Sequence, residues 1–323
     1  MNKKGKRQHS IPSIRDYITY DEIKLAALIQ VSCFVKPINS GSRHNKAVIN
    51  NELIDIEAVY VGAVGPRFEK PGFMEWQEII EDSESNKFIA EIFTMFYNKI
   101  IGDTVPPNNT TITLQSNKKF LNGKKFKTAL YQQRIMISAE TFLLEANERG
   151  KLKNTDVHVV IVGLGLGHWQ AYDTQVYEYL YAFQTILQKL YQQKSITFIK
   201  HVEFSWIPET SGLLLSDGQT IPNTDIIVSF TNDDPFQKKN EKFLKVAMYA
   251  WDGNAFPGNE YWSGVLNGSG DSAAACCSQI PQLQNAYINM PNICGKNIHI
   301  ASSDFGVLHI SDFAKKKLSS LNS

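Results

Sequence analysis

Three carboxylates, Asp252, Glu260 and Asp271, stand in the stretch Trp251 to Asp271 (WDGNAFPGNEYWSGVLNGSGD), among five glycines and one proline. Carboxylates grouped this way can accept hydrogen bonds from sugar hydroxyls, activate a water molecule or hold a divalent cation; they can also be plain solvated charge on a loop. Glycine and proline at this density rule out a helix or strand interior, so the stretch is expected to be a folded-over loop. A second informative segment is Val157 to Gln170 (VHVVIVGLGLGHWQ). Its β-branched run predicts a central parallel strand, followed by the turn Gly163, Leu164, Gly165, Leu166, Gly167 and a helix opening at His168 and Trp169 and running to about Gln193. Glycines here let backbone amides approach a phosphate, with the helix N-terminus adding partial positive charge. The same spacing also serves turns that only bring helix and strand close together, and the residues alone leave both roles open. Trp169 is placed to stack on a base or ribose, or to be buried. His158 lies mid-strand, where a hydrogen-bonded core histidine outweighs a catalytic one.

The elements that must position these groups follow the usual periodicities. Asp225 to Asn232 (DIIVSFTN) predicts a buried strand with a polar end at Asn232, and a strand emptying into polar loop residues is a common way for an α/β protein to build a site. Ile54 to Ala63 predicts an earlier strand, Asn86 to Ile101 an amphipathic helix, and Asp103 to Lys127 a polar surface excursion. Thr128 to Arg149 has helical apolar spacing with Gly150 as its stop. Ile196 to Phe204 predicts the next strand, Ser216 to Gln219 a hairpin turn, and Asn240 to Ala250 a short helix or buried strand leading into Trp251. Asn297 to Ser302 predicts a last strand, with a polar terminal helix after it.

Composition bounds the function classes. In 323 residues, 43% hydrophobic and 20% charged, there is enough apolar surface for a sizeable core. A net charge of +1 supplies no field for nucleic acid or a membrane surface, and the basic cluster Lys3, Lys4, Lys6, Arg7 marks residues 1–12 as a disordered tail. No apolar run reaches membrane-spanning length and no signal-peptide core opens the chain, so a soluble cytoplasmic protein is expected. Cys33, Cys276, Cys277 and Cys294 lack paired metal spacing and read as small core residues.

Several separated motifs, DYITYDE, VGAVGPRFEKPGFMEW, VGLGLGHWQ and WDGNAFPGNEYWSGVLNGSGDSAAACCS, make the chain similar over nearly its whole length to the MavL-like macrodomain family, typified by a Legionella effector. IIVSFTN resembles the macrodomain strand IVNAAN, with Asn232 at its final asparagine and Ser229 replacing the first. Members of that family remove ADP-ribose from modified ubiquitin. The resemblance implies an α/β fold, a three-layer α/β/α macrodomain-like mixed sheet with additional N-terminal helical elements. Residues 13–150 would then be an extension packed on an ADP-ribose-binding core of residues 151–323. It implies an ADP-ribosylhydrolase with Asp252, Glu260 and Asp271 as its acidic trio, needing no cofactor, and working in the host cytosol if it is a secreted effector. The glycine turn precedes the signature strand here, the reverse of the macrodomain order.

ADP-ribose itself asks for backbone amides at its diphosphate, acceptors at its diols and an apolar or aromatic slot for adenine. Gly163 to Gly167 would cradle the diphosphate, and Asn232 and Asn254 would contact the distal ribose, with Gly253 and Gly258 in the same loop as Asn254. Asp252 would orient that ribose or activate water at its anomeric carbon, while Glu260 or Asp271 protonates the leaving group or fixes the substrate. Two alternatives stand beside this. One is a non-catalytic module that binds ADP-ribose or ubiquitin. The other is an S-adenosylmethionine-dependent methyltransferase, in which VVIVGLGLG is the nucleoside turn, Asn232 to Phe236 (NDDPF) stands for the Asn-Pro-Pro-aromatic motif, and Glu203 would hold the ribose.

Overall fold

The structure is a computed structural model and describes residues 30–37, 39–41, 49–50, 52–63, 65–66, 68, 71–72, 75–85, 111–167, 170–239, 242–250 and 298–321. Along the chain come β1 (Gln30–Val35), β2 (Ala58–Ala63), α1 (Trp76–Ile79), β3 (Ile80–Glu81), β4 (Thr111–Thr113), β5 (Lys125–Lys127) and α2 (Thr128–Lys153). They are followed by β6 (Val157–Ile161), α3 (Gln175–Gln192), β7 (Ile199–Ser205), β8 (Ile227–Thr231), β9 (Leu244–Ala250), β10 (His299–Ser302), β11 (Gly306–His309) and α4 (Ile310–Leu321). The main sheet has the order β1-β2-β9-β6-β7-β8. β1 runs antiparallel to β2 and every other pairing is parallel, so the expected mixed α/β sheet is present. Strands from both sides of residue 150 share it.

Strand alternation sorts residues onto two faces with different chemistry. Val59, Val61, Val157, Val159, Ile161, Val202, Phe204, Val228, Val246 and Met248 point to one face and join a single core with α2 and α3. Each such side chain taken fully out of water contributes about 1.5–3 kcal/mol, which is why α2 and α3 stay clamped on this face. Among the described residues both of these helices pack on that same face. The opposite face begins with the apolar patch Tyr60, Val160, Ala247 and Tyr249, closed by Phe236. The chain after β8 crosses back over this face to reach β9, held by hydrogen bonds from Phe236 N to Ser40 O and from Ser40 Oγ to Asp234 Oδ2. No helix among the described residues is long and apolar enough to cross a membrane.

Several expectations need correcting. Residues 111–127 are not a surface excursion: β3, β5 and β4 form a three-stranded antiparallel sheet that buries Leu114, Leu121 and Phe126. Lysines on the outward positions hid the inward ones. Gly150 does not stop its helix, which continues to Lys153 and ends at Asn154 in the left-handed region (φ 49°). A Cβ on Gly150 would sit 2.4 Å from Val157 Cγ2, so the glycine admits the start of β6 against the helix. The strand ending at Asn232 is an edge strand, with Ile227 48% exposed. Ser216 to Gln219 makes a turn, but the chain reversal before β8 lies between Ile221 and Ile226, with Asn223 at φ 64°. Trp76 is fully buried, and within the stretch expected as a short helix or buried strand before Trp251, Leu244–Ala250 is strand. β10 and α4 form where a strand and a helix are expected, but β10 is not the last strand, because β11 pairs with it before α4 begins. The predicted helix at 86–101 and Cys276, Cys277 and Cys294 lie outside the described residues.

Toward β7 and β8 the second face becomes polar and titratable. His158 is buried in mid-strand, with Nε2 2.9 Å from Glu203 Oε2 and its ring stacked on His201 at 4.2 Å between centroids. His201 Nε2 lies 2.9 Å from Ser229 Oγ, Thr231 Oγ1 donates to Glu203, and Lys239 bridges Glu203 and Asp233. Beside them the buried Lys245 ammonium is 2.6 Å from Asp55. Burial and the neighbouring His158 push His201 down to about 4. Burial alone would raise Glu203, yet hydrogen bonds from His158 and Thr231 and the Lys239 charge bring it down to about 2.

Both shifts act on stability in one direction. The unfolded chain takes up a proton on His201 near pH 6.5 that the folded chain refuses until about pH 4, and Glu203 behaves the same way between about 4.5 and 2. The stability these two groups contribute is therefore fully present above pH 6.5 and is lost on acidification, first through His201 and then through Glu203. Urea titrations should show the midpoint dropping from pH 7 to pH 5, and His201→Gln should flatten that interval. A variant that titrates like wild type there contradicts this account of the polar strip.

Candidate functional site

Because β2, β9, β6, β7 and β8 are parallel, their C-terminal ends all open on one edge of the sheet, where α/β proteins place ligands. The registers fix which residues share that edge. Ala63 pairs with Ala250, Val160 with Ala247, Ile161 with Phe204 and Ser205 with Thr231. Continued past the last ladder pairs, these put Ala63, Ala250, Gly163, Trp206 and Asn232 in one row. Strand spacing makes that row about 19 Å long.

Two loops close over the middle of this row. The chain leaving β2 at Gly65 and Pro66 touches the chain leaving β6 at Leu164 and Gly165, although β9 separates the two strands. A Cβ on Gly65 would stand 2.9 Å from the Leu164 carbonyl carbon, and one on Gly165 (φ 76°) 3.1 Å from Pro66 O. Only glycine permits this backbone-to-backbone approach. A Cβ on Gly163 would stand 2.9 Å from Leu166 Cβ, whereas one on Gly167 would meet open space. Leu164 is buried, Leu166 half-buried and Gly167 exposed. Among the described residues the amides of Gly165, Leu166 and Gly167 donate no hydrogen bond. Crowding explains Gly163 and Gly165; the idle amides are the feature suited to an anion.

The helix expected to open at His168 does not. α3 begins at Gln175, after a turn stitched by Gln170 N donating to Gly167 O and by the Gln170 side-chain amide donating to Tyr172 O. Gln175 Oε1 accepts from Ala171 N at 2.7 Å, which ties the helix start to the turn before it. Tyr179 instead ties α3 to the edge, its hydroxyl donating to Val162 O at 2.8 Å.

Asn232 is exposed at the end of β8, on the row. Next to it stands a residue that sequence spacing passed over. Trp206 follows β7 with φ 59°, a left-handed backbone that costs a bulky side chain roughly 1–2 kcal/mol. It is held there by its backbone N donating to Thr231 O at 2.8 Å and its indole Nε1 donating to Asn232 O at 3.0 Å. Nothing in the stretch SWIPET announces such a conformation, which depends on the neighbouring strand. Ser205 Oγ donates to Asp233 O and secures the same junction.

Glu203 is not available to a ribose: it is 2% exposed in mid-β7 and committed to His158 and Thr231. Phe236 of NDDPF is fully buried against Tyr60, 4.9 Å between ring centroids, and does not line the edge. Of the three features behind the methyltransferase alternative, Glu203 and Phe236 of NDDPF are thus structural, and the glycine turn alone is left to it. His168 and Trp169, and Asp252, Gly253, Asn254, Gly258, Glu260 and Asp271, lie outside the described residues. What the structure does give is the last residue before the acidic segment, Ala250, directly beside Gly163 on the row. Among the described residues no group of three or more His, Cys, Asp or Glu side chains is arranged to hold a metal.

Comparison with known proteins bears on this edge. Residues 3–316 match the family described as ADP-ribosylhydrolase MavL-like. The chain is similar to ADP-ribosylarginine hydrolase CG3568 of Drosophila melanogaster, 34% identical over 336 residues that cover 94% of this chain and 64% of that protein. It is also similar to ADP-ribosylarginine hydrolase CG2909 of the same organism, 30% identical over 348 residues, 98% of this chain and 68% of that protein. The chain thus spans about two thirds of the length of these relatives. With nearly every residue inside the family match, the chain belongs to the MavL-like ADP-ribosylhydrolase family.

Proposed function

We propose that this chain hydrolyses the bond between ADP-ribose and an arginine side chain of a modified protein, by carboxylate-assisted glycosidic cleavage. The observation that carries the reading is the meeting of the Gly65 and Gly163–Gly167 loops beside Ala250, from which the chain enters the segment bearing Asp252. A diphosphate resting on the idle amides of Gly165 to Gly167 directs its distal ribose toward that segment. Family membership and the names of the two Drosophila relatives support the reaction, and those names support arginine as the modified side chain. Ubiquitin as the modified protein rests on the family resemblance alone. So does the macrodomain-like layering, beyond the mixed sheet itself.

In this scheme Asp252 orients the distal ribose or takes a proton from water as its oxygen attacks the anomeric carbon. The bond from that carbon to the guanidino nitrogen breaks through an oxocarbenium-like state that nearby carboxylates stabilise. Glu260 or Asp271 delivers the proton to the departing nitrogen or fixes the substrate. Asn232, Asn254, Gly253 and Gly258, with His168 and Trp169, complete the ligand contacts.

Incubating the chain with a protein ADP-ribosylated on arginine should release free ADP-ribose, and Asp252→Ala should slow release by about 10²–10⁴-fold. Equal release by the variant contradicts the assignment, and binding without release by wild type makes the protein a reader. Parallel assays with ADP-ribosylated ubiquitin and other carriers identify the substrate. Gly65→Ala forces the two loops apart and should weaken ADP-ribose binding about tenfold by calorimetry; unchanged affinity would show that the loop contact does not shape the site.

A further inference from the structure

We propose that Tyr179 is the positioning residue of the glycine turn: its hydroxyl, donating to Val162 O, fixes the backbone entering Gly163 and so aligns the amides of Gly165, Leu166 and Gly167 for a diphosphate. This rests on the turn taking the diphosphate of ADP-ribose, as proposed above. Val162 stands one residue beyond the last ladder pair of β6 with β7, which joins Ile161 to Phe204. Its carbonyl receives the Tyr179 hydroxyl of α3 at 2.8 Å, across 17 residues of chain. The same phenolic oxygen takes a backbone hydrogen bond from Leu164. One side chain thus brackets Gly163 and sets the corner from which the idle amides run on.

The hydroxyl is not what holds the helix. Tyr179 is fully buried with its ring centroid 5.0 Å from that of Phe183, and Leu180, Phe183 and Leu187 already clamp α3 on the sheet. A phenylalanine would fill the same space. A hydroxyl at this depth is costly unless hydrogen-bonded, and its partners are the backbone of the turn. From the other side the Gly65 backbone presses on Leu164, so the turn is gripped from within by α3 and from outside by the loop after β2. Burial raises the phenol well above its ordinary value, against the opposing effect of the Leu164 bond, so the tie to Val162 does not titrate near neutral pH. A turn set in advance spares the cost of ordering it around a ligand. The hydroxyl therefore acts on affinity and not on the chemical step.

Calorimetry on the full chain with ADP-ribose and ADP, together with steady-state release of ADP-ribose from an arginine-modified protein, tests this. Tyr179→Phe should bind both nucleotides about 5–50-fold more weakly and raise KM by a similar factor, with kcat within about twofold of wild type. Phe183→Leu removes packing from the same helix without touching the turn; it should lower the urea midpoint and leave both affinities unchanged. Wild-type affinity in Tyr179→Phe overturns the proposal. So does a loss that falls on kcat alone, or an equal loss of affinity in Phe183→Leu, because either marks Tyr179 as purely structural. In the wild-type chain, ADP should slow amide hydrogen exchange at Gly165 to Gly167, and exchange there that ignores bound ADP also overturns it. Failure of the wild-type chain to bind ADP-ribose overturns the functional reading itself and is distinguishable from these outcomes.

Discussion

The edge that carries the site depends on one close approach, the backbone of Gly65 against that of Leu164. β2 and β6 are not neighbours; β9 lies between them, and their exit loops meet only because no side chain intervenes at Gly65. That contact joins the first half of the chain to the second above the end of β9. Gly165 works in the same contact from the other side, its positive φ turning Leu164 inward to full burial. The loops over the site are therefore set by packing, and the idle amides of Gly165 to Gly167 follow from that geometry.

The two faces of the sheet divide the remaining work. One face, with α2 and α3, supplies the apolar burial that holds the strands in register and so fixes the row from Ala63 to Asn232. The other carries a layer of paired charges, from Asp55 and Lys245 through Glu203 and His158 to Lys239 and Asp233. A buried ionised carboxylate is costly without partners, and Glu203 has three. This layer anchors the crossing chain between β8 and β9, which must lie flat on the sheet for β9 to enter between β2 and β6.

Where strand burial is two-sided and β-branched, as in Val157 to Ile161, the pattern is legible directly and the parallel central strand was expected. Asp225 to Asn232 carries a similar apolar run but sits at the edge, because the run reports hydrophobicity and not the number of neighbouring strands. The start of α3 is not legible because a glycine turn followed by apolar residues looks the same whether the helix starts at once or after a further turn. Gln170 and Gln175, whose side chains build that turn, carry no strong local signal. Trp206 was invisible for a related reason: its conformation comes from Thr231 and Asn232, about 25 residues away in sequence. The acidic segment was the easiest feature to notice, yet its side chains lie outside the described residues, and the structure speaks for it only through Ala250.

The most direct measurement is a crystal structure of the chain with ADP-ribose. The account requires the diphosphate on the amides of Gly165 to Gly167 at the C-terminal edge of the sheet, with the distal ribose on the β9 side and the segment after Ala250 around it. A ligand seated at the opposite edge, or on the polar strip around His158 and Glu203, would contradict the shared mouth on which the proposed chemistry stands.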